Sequence, residues 1–154
     1  MSLEEFRILD ATKFPVGKLI SIISKNQTLY LNHHLEDLNI NASQLHFLFE
    51  ISHQKEINQE MIASRCNIDK GAVARSVKKL EANGLVERKV DDNNRRQNII
   101  TLTDKGERTL KKAHQKLDEW ERYVFDENLI EKETLQKVLK QMAIKSIEYN
   151  EKGE

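Results

Sequence analysis

At 154 residues the chain is long enough for one domain with short appended helices, and 32% charged with 38% hydrophobic residues is the composition of a folded protein, not of a disordered one. Its apolar runs are too short for a membrane-spanning helix, and one cysteine, Cys66, excludes an intramolecular disulfide or a cysteine-rich zinc module. Zero net charge hides an uneven distribution: residues 1–64 carry 5 Lys/Arg against 8 Asp/Glu, and residues 65–96 carry 9 against 5. No basic-then-apolar segment opens the chain, so the cytoplasm is the expected location, with no membrane partner. Met1-Ser2-Leu3 is set aside as an expression scar.

Periodicity predicts a first helix over residues 15–38, from Val16, Leu19, Ile20, Ile23, Tyr30, Leu31 and Leu35, with Pro15 at its start. Three further starts share one device. Asn41, Asn58 and Asp69 are N-caps, each preceded by Ile40, Ile57 or Ile68 and followed by Leu45, Ile62 or Val73 at the hydrophobic-staple spacing. Gln44 completes a capping box with Asn41. The expected helices cover 42–53, 59–65 and 70–82. The last ends at Asn83-Gly84, with Leu80 and Leu85 placed for a Schellman contact. A hairpin follows, 85–90 returning over 97–102 around the loop 91–96. Thr103 then caps a helix over about 104–125, with Leu110, Ala113, Leu117, Trp120 and Val124 spaced 3-4-3-4, and a last helix covers about 131–149.

The fold class is mainly α with a small β-hairpin wing, a winged helix-turn-helix between long N- and C-terminal helices. With Val73, Val77 and Leu80 on the core side of helix 70–82, Gly71, Ala74, Arg75, Lys78 and Ala82 fall opposite. Gly71 and Ala74 permit close approach to a groove. Arg75 can reach a guanine edge with two donors, and Lys70, Lys78 and Lys79 can meet phosphate. Asn58 and Gln59 open the preceding helix, Arg88 lies on the hairpin, and helix N-termini offer further phosphate donors. Asn94, Arg95 and Arg96 sit at the wing tip, where arginine suits a narrow minor groove.

Three stretches carry a family resemblance: Ile68-Asp69-Lys70-Gly71-Ala72-Val73-Ala74-Arg75, Leu80-Glu81-Ala82-Asn83-Gly84-Leu85-Val86-Glu87-Arg88, and Thr101-Leu102-Thr103-Asp104-Lys105-Gly106 after the wing. With the order of helices, the chain resembles the MarR family of regulators over nearly its whole length. The resemblance implies double-stranded DNA as partner, helix 70–82 in the major groove, Arg96 as the wing arginine, and a homodimer. The expected division is a single domain over 1–154, with 1–38 and 104–154 dimerising and 41–102 forming the winged helix-turn-helix. Repression is the family's common habit. The family usually places Asp where this chain has Asn94, so the salt bridge that holds the wing arginine is replaced by a neutral hydrogen bond.

Phenolic effectors known for the family draw attention to Lys18, Ser21, Ile22 and Lys25, where cations lie beside apolar groups as an aromatic carboxylate requires. The competing account is a lysine face at the subunit contact. Cys66 fits packing better than redox sensing, since the family's sensors mostly carry an N-terminal cysteine. His46 and His114, with Asp118 one turn on, lack an H-x-x-x-H partner, so neither a metal nor a cofactor is expected. No phosphate loop, zinc-protease motif or nucleophile elbow is present, and an enzyme is not expected. The remaining rival is a winged helix used only for protein contacts.

Overall fold

In the computed structural model, which describes residues 2–54, 56–90 and 98–151, the elements run α1 (Leu3–Ile8), α2 (Val16–His34), α3 (Ala42–His53), α4 (Gln59–Cys66), α5 (Lys70–Ala82), β1 (Val86–Val90), β2 (Asn98–Leu102), α6 (Asp104–Val124) and α7 (Lys132–Glu151). Short 3-10 turns, Ala11–Lys13 and Glu36–Leu38, flank α2. The wing tip, and with it Asn94, Arg95 and Arg96, lies outside the described residues.

Helix ends are set by local chemistry. Asn41, Asn58 and Asp69 accept from the backbone N–H of Gln44, Met61 and Ala72, and the Gln44 side chain accepts in return from the Asn41 N–H. Asn39, Asn67 and Gly84 hold φ of 54°, 50° and 70°. Each is followed by an apolar residue whose N–H reaches back to the helix: Ile40 to Leu35 at 3.5 Å, Ile68 to Ala63 at 3.0 Å, Leu85 to Leu80 at 2.9 Å. Ile40 and Ile68 therefore close one helix and staple the next.

Two elements depart from expectation. The first long helix stops at His34 and passes through Leu35 into the 3-10 turn Glu36–Leu38, which left-handed Asn39 ends, and Leu35 and Ile40 both enter the core. Residues 3–8 form a helix that opens on a Ser2–Glu5 capping box, an element absent from the expected series.

The chain divides into two compact units, Met1–Leu117 and Asp118–Glu154. In the first, α3 lies at the centre of one apolar cluster. Leu45, Phe47, Leu48 and Ile51 pack with Leu31 and Leu35 of α2, Ile62 of α4, Val73, Val77 and Leu80 of α5, Ile100 of β2 and Ala113 of α6. The hairpin is antiparallel, Val86 opposite Leu102 and Val90 opposite Asn98. The Ile100 N–H also donates to the Ile57 carbonyl at 2.7 Å, tying the hairpin to the start of α4. In the second unit the end of α6 and α7 are joined by a Lys132–Glu121 ion pair of 2.6 Å. No residue of α7 is buried, and Val138, Leu139, Met142, Ile147 and Tyr149 are exposed apolar groups. No helix among the described residues is long and apolar enough to cross a membrane.

Candidate nucleic-acid interface

Burial divides α5 as its sequence requires. Val73, Val77 and Leu80 are buried, Gly71, Arg75, Lys78 and Lys79 are exposed, and Ala74 is half-buried. A Cβ at Gly71 would meet the Asp69 carboxylate at 3.0 Å and the Arg75 guanidinium at 3.4 Å. Glycine there leaves room for the N-cap and lets Arg75 lie along the first turn. The surface is thus small at the helix start and cationic through its middle, a shape and charge suited to a groove wall.

Other expected contacts are already engaged within the chain. Lys70 donates to Glu60 at 2.7 Å, and this bond holds the Glu60 carboxyl below its usual range and raises the Lys70 amine. Both side chains are exposed, so solvent screens the pair. The Arg88 guanidinium meets Glu81 at 2.7 Å, bracing β1 against α5. Lys79, by contrast, stays exposed without an ion-pair partner among the described residues, at the rim of a small cleft lined also by Asn41 and Gln44. Asn58 caps α4, and both Asn58 and Gln59 are half-buried. The helix N-termini are less open than the sequence suggests. Ala42 N–H is taken by the Asn32 side chain, and Gln44, Met61 and Ala72 N–H by the caps.

The far end of α5 is clamped by the start of α6. Thr103 Oγ1 donates to the Gly84 carbonyl at 2.6 Å and accepts from the Gly106 N–H at 3.0 Å. Thr103 N–H donates to the Leu85 carbonyl at 3.1 Å, and Lys105 Nζ to the Asn83 carbonyl at 2.7 Å. Asn83 Nδ2 donates to the Asn39 carbonyl at 3.2 Å. Gly106 packs directly on the Leu85 carbonyl, which a Cβ would overlap. The helix's own last carbonyls at Lys79, Leu80 and Glu81 accept from the N–H groups of Asn83, Leu85 and Gly84, the clamp satisfies the carbonyls of the turn that follows, and the end of α5 is fixed against α6.

The MarR family model matches residues 40–97, the span that holds α3, α4, α5 and β1. The HTH-type transcriptional regulator BilQ of Clostridium symbiosum (strain WAL-14163) is 35% identical over 101 residues, 66% of this chain and 70% of that protein. The chain belongs to the MarR family. It is a DNA-binding helix-turn-helix transcription regulator, of a family that is not enzymatic. A crystal structure of MarR matches with a TM-score of 0.80 at 26% identity, covering 94% of this chain and 98% of that one. The S. aureus MepR–DNA complex matches in fold, with a TM-score of 0.72 at 24% identity over 86% of this chain and 99% of that one.

Elsewhere in this MarR-family regulator, Lys18, Ser21 and Lys25 are exposed along α2 and Ile22 is half-buried. None of the four lines the larger cleft of about 610 Å³, whose walls include Phe49, His53, Leu110, Lys111 and His114. His114 stands edge-on to Phe49, ring centres 5.6 Å apart, while His46 is exposed and outside that cleft. Among the described residues no three His, Cys, Asp or Glu side chains are placed to hold a metal. Cys66 is half-buried at the end of α4. Burial pushes its thiol up and Glu50 adds to this against Arg65, which disfavours the reactive thiolate.

Residue chemistry alone does not anticipate the clamp, although Thr103, Lys105 and Gly106 stand in the family-like stretch. Nor does it reveal Glu60 as the partner of Lys70: the two lie ten positions apart, beyond any helical spacing.

Proposed function

We propose that this regulator binds a near-palindromic operator as a homodimer and represses transcription from it. The observation that carries this reading is the exposed face Gly71, Ala74, Arg75, Lys78 on a helix whose other face is fixed in the core. In the major groove, Arg75 reads base edges while Lys78 and Lys79 meet phosphate. Arg95 and Arg96 of the wing enter the minor groove, with Asn94 beside them. MepR, of similar fold, has been solved on DNA. Exposed apolar residues of the first unit, Leu3, Ile8, Val16, Ile20 and Ile23, supply a surface for the second copy, and Ile147 and Tyr149 of the second unit are likewise exposed. Lys18, Ser21, Ile22 and Lys25 belong to that surface, where a lysine stem lies on apolar groups and its amine reaches water. Two reading heads related by a two-fold axis require half-site centres about 10 base pairs, or about 34 Å, apart.

Release by a small aromatic carboxylate is favoured by the cleft between α3 and α6. It combines aromatic and aliphatic walls, Phe49 and Leu110, with Lys111 and His114. Selection from a random duplex library, followed by titration at several salt concentrations, tests the DNA reading. A palindromic site bound about 10³-fold or more above random duplex is expected. Equal binding of all duplexes, or none, favours the protein-contact module instead. Salicylate added to the complex should weaken it in wild type and not in Lys111→Ala. Loss of the response in Lys18→Ala or Lys25→Ala alone would move the effector to α2.

A further inference from the structure

We infer that a second, polar cleft is a phosphate-binding site at the clamped end of the recognition helix. Its volume is about 280 Å³, and it lies between the turn at Asp37 to Asn39, the end of α5 at Asn83, and α6. One wall is a helical row, Lys105, Arg108, Thr109 and Lys112, at spacings that put all four on one face of α6. Asn39 and Asn83 stand opposite, and Asp37 is the one carboxylate in the lining.

Three features point to an anion rather than to a solvated surface. Arg108 and Lys112, four positions apart on α6, have no carboxylate within ion-pair distance among the described residues, so both charges are open to a ligand in the cleft. Thr109 is only 8% exposed and lines the cleft, yet its hydroxyl has no hydrogen-bond partner among the described residues. No fully buried side-chain polar atom of that region lacks a partner, so the Thr109 hydroxyl must reach the cleft space. The carbonyls of Asn83, Gly84 and Leu85, just past α5, which would repel an anion, already accept from Lys105 and Thr103.

The donors approach from two walls and include ammonium, guanidinium, hydroxyl and amide groups, which suits a tetrahedral dianion better than a planar carboxylate. The space holds about nine waters' worth of volume, so a phosphate fits with room for a small organic body. The site is distinct from the aromatic cleft and from the DNA face: it lies at the opposite end of α5 from Gly71 and Arg75. A ligand there would bridge the two walls that the Lys105–Asn83 bond already joins.

The test is thermal unfolding of the full chain with sodium phosphate against sodium chloride at matched ionic strength. Phosphate at ten times its half-saturating concentration should raise the midpoint by about 3 °C or more. The exposed double variant Arg108→Gln/Lys112→Gln should weaken phosphate binding at least about tenfold, and Thr109→Val should weaken it less. Asp37→Asn, which removes the opposing charge, should tighten it. A sugar phosphate binding more tightly than inorganic phosphate marks the headgroup of a metabolite; equal affinity marks the free ion. Equal shifts with chloride and phosphate, or full phosphate binding by the double variant, overturn the site. So does a double variant that lowers the salt slope of DNA binding with no phosphate effect, because its cations would then be DNA contacts.

Discussion

The two ends of α5 are built in opposite ways. At its start, Asp69 supplies a single cap, Gly71 has no side chain, and the nearest cation, Lys70, is held only by an exposed bond to Glu60. At its finish, Asn83, Gly84 and Leu85 offer three carbonyls, and Thr103 and Lys105 take all three, with Gly106 packed against the last. A reading head must present one surface to DNA and yet hold its orientation to within a bond length. This chain adds its hydrogen-bonded ties to α6 beyond the last turn of α5, away from Gly71 and Arg75. The consequence is a division of labour: substitutions at the finish should change stability, and substitutions at the start should change recognition.

The largest expected effect breaks the clamp. Gly106→Ala puts a methyl group on the Leu85 carbonyl, a backbone atom that also accepts from Thr103 N–H and cannot move alone. A loss of about 3 kcal/mol is expected by urea unfolding. Gly17, in the first turn of α2, is the control. A methyl group there would meet no atom within 4 Å, and Gly17→Ala should stabilise by about 0.5–1 kcal/mol. Equal behaviour of the two glycines would mean that the clamp carries no strain-sensitive contact.

At the other end, Arg75→Ala should leave the unfolding midpoint unchanged and cost about 1–3 kcal/mol of discrimination at one base pair of each half-site. Site selection with the variant measures this. An unchanged preferred operator would remove Arg75 from base reading.

How much of this contrast is legible in the sequence depends on chain distance. The recognition face follows from the helical angle between Val73, Val77 and Leu80 and the residues opposite them, so its exposure is legible. The caps at Asn41, Asn58 and Asp69 are legible because each acts on a group three residues away. The Asn39 and Asn67 endings share the Gly84 geometry, but asparagine is a weaker mark of a left-handed residue and neither is read from the sequence. The clamp joins Lys105 to Asn83 across 22 positions, and the Ile57–Ile100 bridge joins residues farther apart still. No local pattern encodes such pairings. The clefts are legible only when α3 or the Asp37 turn is placed beside α6. The Ser2–Glu5 box is written in plain spacing, and only its place at the chain's start hides it.

The wing supplies an intermediate effect. Arg96→Ala should lower the log–log salt slope of operator binding by about one for each phosphate charge lost, and should erase any preference for A·T-rich flanks. Asn94→Asp should act in the opposite direction if a carboxylate there steadies the arginine, giving tighter binding at the same slope. A wing variant with unchanged slope and flank preference would confine recognition to α5.

The smallest effect lies at the start of α5, where Glu60 occupies Lys70. Glu60→Gln removes the charge that holds the lysine and releases it toward phosphate, so the salt slope should steepen by about one and binding at low salt should tighten. The same pair sets a pH dependence whose sign follows from the depressed Glu60 value. Its contribution to stability is fully present above the ordinary carboxylate range and is lost as pH falls through the lowered folded value. Wild type should therefore lose slightly more stability than Glu60→Gln on acidification, and the two should converge once Glu60 is protonated. Because both side chains stand in solvent, the difference should shrink further in high salt. If Glu60→Gln leaves the salt slope where it was, Lys70 does not reach DNA even when free, and phosphate contact at this end of the helix falls to Lys78 and Lys79.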